Sequence, residues 1–156
     1  MPDRLIKVLH VVPDLAPGGA PLGACELVER LFRAPVVVGF NSRRFDYSVL
    51  RAYTTRDLAV LPTFDLLEEI HKKLGYRLSL GHLAEHTLGR GKSGDGLQSL
   101  EWWKEGRLDL IEQYCRMDVE LVRDLLAFAA REGHVLFQRK TGELVRLPVA
   151  WDEETI

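Results

Sequence analysis

Residues 36–39 read VVVG, an apolar run through which no polar residue alternates. That run restricts the fold more than any other stretch of the chain. A strand with one wet face alternates, whereas a strand apolar at every position is covered on both sides. Helical patterns flank it. Residues 23–33 place Leu27, Val28, Leu31 and Phe32 at helical spacing, and a second helix is expected from about Ser42 to Tyr53. A doubly covered strand among helices predicts an α/β layered fold with a mixed sheet.

The rest of the chain agrees. Leu5–Val12 (LIKVLHVV) reads as a strand stopped by the breaker cluster PDLAPGGAPLG. PTFDLLEEIHKKLG predicts a helix, with Asp65 and Glu68 spaced as a capping box and Gly75 as its stop. A short helix near 79–88, a Gly-rich loop at 89–96 and a Trp-bearing helix near 97–105 follow. The longest helix is expected over 107–131, where Leu108, Ile111, Cys115, Val119, Val122, Leu126 and Ala129 recur at intervals of three and four. HVLFQRKTGELVRLPV predicts a C-terminal hairpin turning at Lys140–Gly142. At 17.7 kDa, residues 1–156 are expected to form a single domain.

A net charge of −2 means that nucleic-acid binding, if present, rests on a local patch. No apolar run approaches the ~20 residues that span a bilayer, so no membrane role is expected. The N-terminus is too short and too charged for a signal peptide. Cys25 and Cys115 lie far apart in apolar helical patterns, which predicts buried thiols in a reducing compartment. A cytoplasmic location follows.

Two stretches carry candidate chemistry. In FNSRRFD, Asp46 follows the buried strand, and Asn41 is placed to cap the next helix. Arg43 and Arg44 would then lie in its first turn, opposing the helix dipole by about a few tenths of a kcal/mol. That cost suggests that they face an anion; a solvated first turn is the plainer reading. In QYCRMDVELVRDLL, Tyr114 and Asp118 share one helical face, beside the apolar stripe. An acid there could bind a cation while the phenol orients a water; a packed boundary pair is the plainer reading.

Together, Asn41-x-x-x-Phe45-Asp46 and Tyr114-x-x-x-Asp118 resemble the second and third motifs of the DEDD-type 3′–5′ exonucleases, tyrosine subclass, on a ribonuclease-H-like fold. PTFDLLEEIHKKLG, RLSLGHLAEHTLG, GKSGDGLQSLEWWKEG and IEQYCRMDVELVRDL fall in the order of the helicase-associated, YprB-like branch. The likeness covers roughly residues 24–151, leaving residues 1–23 divergent. The resemblance implies metal-dependent hydrolysis of nucleic-acid phosphodiesters, with Mg²⁺ or Mn²⁺ as cofactor. Single-stranded DNA or RNA is the implied partner, and a helicase a further one. Asp46 and Asp118 would be metal ligands, Tyr114 would position the attacking water, Asn41 would shape the turn, and Arg43 and Lys92 would meet the substrate backbone.

In such enzymes two divalent cations about 4 Å apart clamp the attacking and leaving oxygens, and several carboxylates hold them. The family places an Asp-x-Glu pair on its first strand. Here no Asp-x-Glu precedes Asp46, whose only acidic residues upstream are Asp3, Asp14, Glu26 and Glu29. Three readings follow: a degenerate homologue, a chain lacking its first strands, or acids supplied by another chain. Catalysis is therefore an open expectation, and a degenerate nuclease fold that binds nucleic acid or a helicase competes with it.

Three other patterns are weaker. GRGKSGDG is no P-loop, because His86 stands where the first glycine is required. HLAEH matches the His-x-x-Glu-His of inverted zinc peptidases, which makes His82, Glu85 and His86 a remote zinc alternative. Trp102–Trp103 could stack bases, although one packed ring and one edge ring is the commoner arrangement.

Overall fold

The computed structural model describes residues 19–91, 98–152 and 156. The strand expected at Leu5–Val12 and the substrate contact expected at Lys92 lie outside the described residues.

Helix α1 (Gly19–Arg33) starts earlier than expected and buries Ala24, Leu27, Val28 and Leu31 on one face. Cys25 follows Ala24 by about 100° of helical turn, which moves it off that face. It is exposed rather than buried, and its thiol points at the Tyr53 carbonyl 3.6 Å away. Cys115 is half-buried, and neither cysteine is in a disulfide.

Strand β1 (Val37–Gly39) pairs in parallel with β2 (Thr63–Asp65), in the register Val37↔Thr63, Val38↔Phe64 and Gly39↔Asp65. β2 occupies what the sequence predicts as the start of a helix. Pro62 precedes Thr63 and Phe64, both strand formers, and Asp65 is the cap, so helix α3 begins only at Leu66 (Leu66–Leu74). The helix expected from Ser42 is likewise shorter. Residues 42–45 form a turn, α2 spans Asp46–Leu50, and a 3₁₀ turn at Arg51–Tyr53 completes it.

Helix α4 (Leu80–Leu88) is capped by Ser79, whose hydroxyl accepts the His82 amide. Helix α5 (Gln98–Lys104) packs on α6 (Leu108–Glu132), and Gly133 ends α6 in the left-handed conformation at φ 68°. Strands β3 (His134–Gln138) and β4 (Leu144–Pro148) form the expected antiparallel hairpin. The described strands form two separate two-stranded sheets, one parallel and one antiparallel.

Two cores place β1. Val38 and Phe64 pack on a cluster built by α3, α4, α6 and the hairpin, with Ile70, Leu83, Leu125, Val135 and Phe137 fully buried. Val37 faces the opposite way, into a cluster of Leu27, Val28, Leu31, Tyr47, Leu50, Leu58 and Leu61. Alternate residues of β1 therefore meet different helical layers, which accounts for its apolar sequence, although each of its residues is half-buried and not fully covered as expected.

Side chains of α4 seal the outer edge of the hairpin. Thr87 Oγ1 accepts the Leu136 N–H at 2.9 Å and donates to the Leu136 carbonyl at 3.0 Å. Two residues along, His82 Nε2 lies 3.1 Å from the Gln138 amide nitrogen, which donates to it. Helical side chains thus take the place of a neighbouring strand. Among the described residues no helix is long and apolar enough to cross a membrane.

Candidate functional site

The turn that leaves β1 carries the first motif, and its shape begins at Gly39. A Cβ at Gly39 would lie 1.7 Å from Ser42 Oγ and 2.9 Å from Ser42 Cβ, so only glycine lets the chain double back there. Asn41 then adopts φ 65°, a left-handed conformation that asparagine tolerates better than most residues. Its carbonyl accepts the Phe45 amide at 3.0 Å.

Asp65, only 2% exposed at the end of β2, fixes this turn from the side. Its Oδ1 accepts the Asn41 amide at 2.8 Å and the Leu67 amide at 3.1 Å, while Oδ2 accepts the Arg43 amide at 3.3 Å. It caps α3, as its spacing predicts, and holds the Asn41 turn as well. The other half of the expected capping box is not formed with Asp65. Glu68 instead meets Arg43 Nε at 3.4 Å, and Arg43 Nη2 donates to the Thr63 carbonyl at 2.9 Å.

Asn41 does not cap α2. The N-cap is Phe45, with no side-chain cap bond, because the turn 42–45 displaces the helix start to Asp46. Arg43 and Arg44 therefore precede the helix instead of lying in its first turn. The Asn41 side chain is used elsewhere, its Oδ1 accepting from Arg77 Nη2.

Asp46 opens α2. Its carboxyl pKa is raised above the usual 3.8, first by the protein bulk that displaces water around it and then by repulsion from the Asp65 carboxylate. A hydrogen bond from its own backbone N–H offsets part of this. The next residue, Tyr47, is buried and bonds Thr63 Oγ1 at 2.6 Å, tying α2 to the start of β2.

Tyr114 and Asp118 lie one turn apart on α6, both half-buried. Their row continues into Leu121 and Leu125, the former 2% and the latter 0% exposed, so it reaches the centre of the core instead of its border. Asp118 Oδ1 is shielded from solvent. The Tyr114 ring meets Trp102 edge to face, with centroids 6.0 Å apart, while Trp103 is 60% exposed. The tryptophan pair thus has one packed ring and one outward ring.

The two motifs sit on separate elements, the first at the exit of β1 and the second on α6. Asp46 stands exposed at the start of α2. Yet no group of three or more His, Cys, Asp or Glu side chains able to hold a metal occurs among the described residues. Glu26 pairs with Arg30 and Glu29 with Arg56 on the surface, so neither stands in for the missing Asp-x-Glu. The described residues therefore do not complete a two-cation cage. Among the described residues the zinc alternative finds no cluster either: His82 is engaged by β3 and meets His86 edge to face, with centroids 4.5 Å apart.

Two residues of the site lie beyond what the sequence pattern signals. The turn-holding role of Asp65 depends on its pairing with Gly39, a contact 26 residues apart that the capping spacing does not reveal. Arg77 reaches Asn41 from the loop after α3, and nothing in its sequence surroundings marks it.

No curated protein and no solved structure gives a significant match to this chain. The family profile of the RNase H superfamily matches residues 23–132, which takes in β1, the Asn41 turn, β2 and all of α6. With that match spanning both motifs, the chain belongs to the RNase H superfamily.

Proposed function

We propose that this chain is a nucleic-acid-handling domain of the 3′–5′ exonuclease type, tyrosine subclass, directed at single-stranded DNA or RNA. The observation that carries the reading is the placement of Asp46, an exposed acid just past the exit of β1 that falls, with Tyr114 and Asp118, inside the stretch matched by the RNase H profile. In this reading Asp46 and Asp118 are the acidic ligands for Mg²⁺ or Mn²⁺, and Tyr114 places its hydroxyl beside the attacking water. Asn41 sets the turn, and Arg43 and Lys92 contact the backbone. Residues 1–156 act as one domain, of which residues 23–132 match the family.

The absence of a three-ligand group among the described residues favours a second reading, a binding module for nucleic acid or for a helicase. A 3′-labelled single strand incubated with Mg²⁺ or Mn²⁺ separates the two. Shortening from the 3′ end that is lost in Asp118→Asn and in chelator supports the exonuclease. Pure protein that retains the strand but never shortens it leaves the binding module.

A further inference from the structure

A cleft of about 260 Å³ lies between the Asn41 turn and α3, on a chain whose net charge is −2. Buried Leu67 forms part of its lining, and Glu68, His71 and Lys72 enter it from α3. Arg44 enters from the turn and Arg77 from the loop after α3.

The charges in this cleft do not cancel. Lys72 is paired with Glu69 at 2.6 Å, and Glu68 with Arg43 at 3.4 Å. Arg44 has no hydrogen bond or ion pair with a described residue, and the only such partner of Arg77 among them is the neutral amide of Asn41. Two guanidiniums without a carboxylate partner therefore line one concavity. Each offers a planar fork of N–H donors that matches two oxygens of a phosphate, and a concave site concentrates their field. Keeping two like charges together with no counter-charge disfavours the empty cleft and favours an anion in it.

We propose that this cleft holds a backbone phosphate of single-stranded nucleic acid, gripped by Arg44 and Arg77, a site that rests on the exonuclease-type reading given above. Asn41 connects it to the motif: the residue that shapes the turn also orients Arg77 by accepting from Nη2. Arg44 stands two residues before Asp46 in the chain, so the cleft and the acid assigned to the metal are carried by the same turn and helix start. Because the contact is to phosphate, it is indifferent to base sequence.

The test is fluorescence anisotropy of labelled oligothymidylate in EDTA, across a series of salt concentrations. Arg44→Gln and Arg77→Gln should each weaken binding about three- to tenfold and lower the log–log salt slope by about 0.7, the value for one phosphate contact on a single strand. Lys140→Gln, at the exposed hairpin tip, should change neither. The difference between wild type and Arg44→Gln should vanish on a methylphosphonate strand. Inorganic phosphate at matched ionic strength should displace the strand only weakly. Strong displacement would mean a free-phosphate site and overturn the proposal. Arg77→Gln removes a bond to the Asn41 turn, but Arg44 has no partner to lose among the described residues, so its variant tests the cleft cleanly. A wild type that binds while both variants bind equally well sinks the cleft and spares the exonuclease-type reading. A folded wild type that retains no strand sinks both. Binding that fails in the variants, with no cleavage by wild type, supports the cleft and removes only the activity.

Discussion

Asp65 Oδ1 accepts the Asn41 amide at 2.8 Å, so the last residue of β2 holds the backbone of the turn that leaves β1. The same carboxylate accepts the Arg43 and Leu67 amides, which makes it the hub of three main-chain donors. Asp65→Ala leaves those donors without their acceptor in a buried place and should cost about 3 kcal/mol. Urea unfolding measures it, and a loss below about 1 kcal/mol would show that water replaces the carboxylate. Retained strands of nucleic acid should dissociate faster from this variant even where it is folded, because the Asn41 turn loosens.

Gly39 admits no side chain while Ser42 keeps its place. Turning the Ser42 hydroxyl away removes the 1.7 Å contact but not the 2.9 Å contact to its Cβ. Gly39→Ala should therefore cost about 2 kcal/mol, as overpacked cores do. The double variant Gly39→Ala/Ser42→Gly removes both contacts and should recover much of the loss, despite the added glycine. Additive losses in the double-mutant cycle would contradict this account.

Asp46 should trade stability for function. Its folded-state pKa is raised by burial and by Asp65, so the folded chain takes up that proton more readily than the unfolded chain. The resulting stability is present below the unfolded value near 3.8 and is lost as pH rises through the raised folded value. At neutral pH the ionised group is thus a cost, screened by the solvent it still reaches. Asp46→Asn should stabilise at pH 7 by up to about 0.5 kcal/mol, roughly 1–2 °C in Tm, with the gap closing below about pH 4. Mn²⁺ should raise the Tm of wild type more than that of Asp46→Asn. Equal responses to the ion would remove Asp46 from the metal site.

Thr87 and Leu136 form a ladder rung made by one hydroxyl, donating at 3.0 Å and accepting at 2.9 Å. Thr87→Val keeps the shape and removes both bonds, so it should cost about 2 kcal/mol. Hydrogen exchange locates the effect: the Leu136 amide should lose protection while amides in α6 keep theirs relative to global stability. Unchanged protection at Leu136 would mean that the valine methyl alone keeps water from the edge.

Much of the architecture is legible in sequence because it follows from period and punctuation. The stripe from Leu108 to Ala129, the glycine stop at Gly75 and the hairpin turn at Lys140–Gly142 are local signals, and the elements lie where those signals place them. What escapes is set by contacts between distant residues. Thr63 and Phe64 become strand because β1 offers them a partner, whereas the local pattern reads as helix. Asn41 loses its capping role because Gly39 and Ser42 tighten the turn and Arg77 claims its side chain. The chemistry-bearing types of the site, Asp46, Tyr114 and Asp118, stand out in sequence. Asp65 is legible as a helix cap, but its hold on the Asn41 turn, and that of Arg77, become visible only in the folded chain.

β1 is three residues long, too short for its own hydrogen bonds to locate it, and it takes its position from two cores at once. A slip of one residue would send Val37 and Val38 into each other's cluster and turn every side chain of the strand over. The strand acts as a shared plank, and the Asn41 turn is bolted to its end. A cavity cut into the α1 layer, at Leu27 or Leu58, should therefore be felt at Asp46, although neither residue belongs to the site. Variants that look like distant stability defects in this protein should be read first as misalignments of its motif.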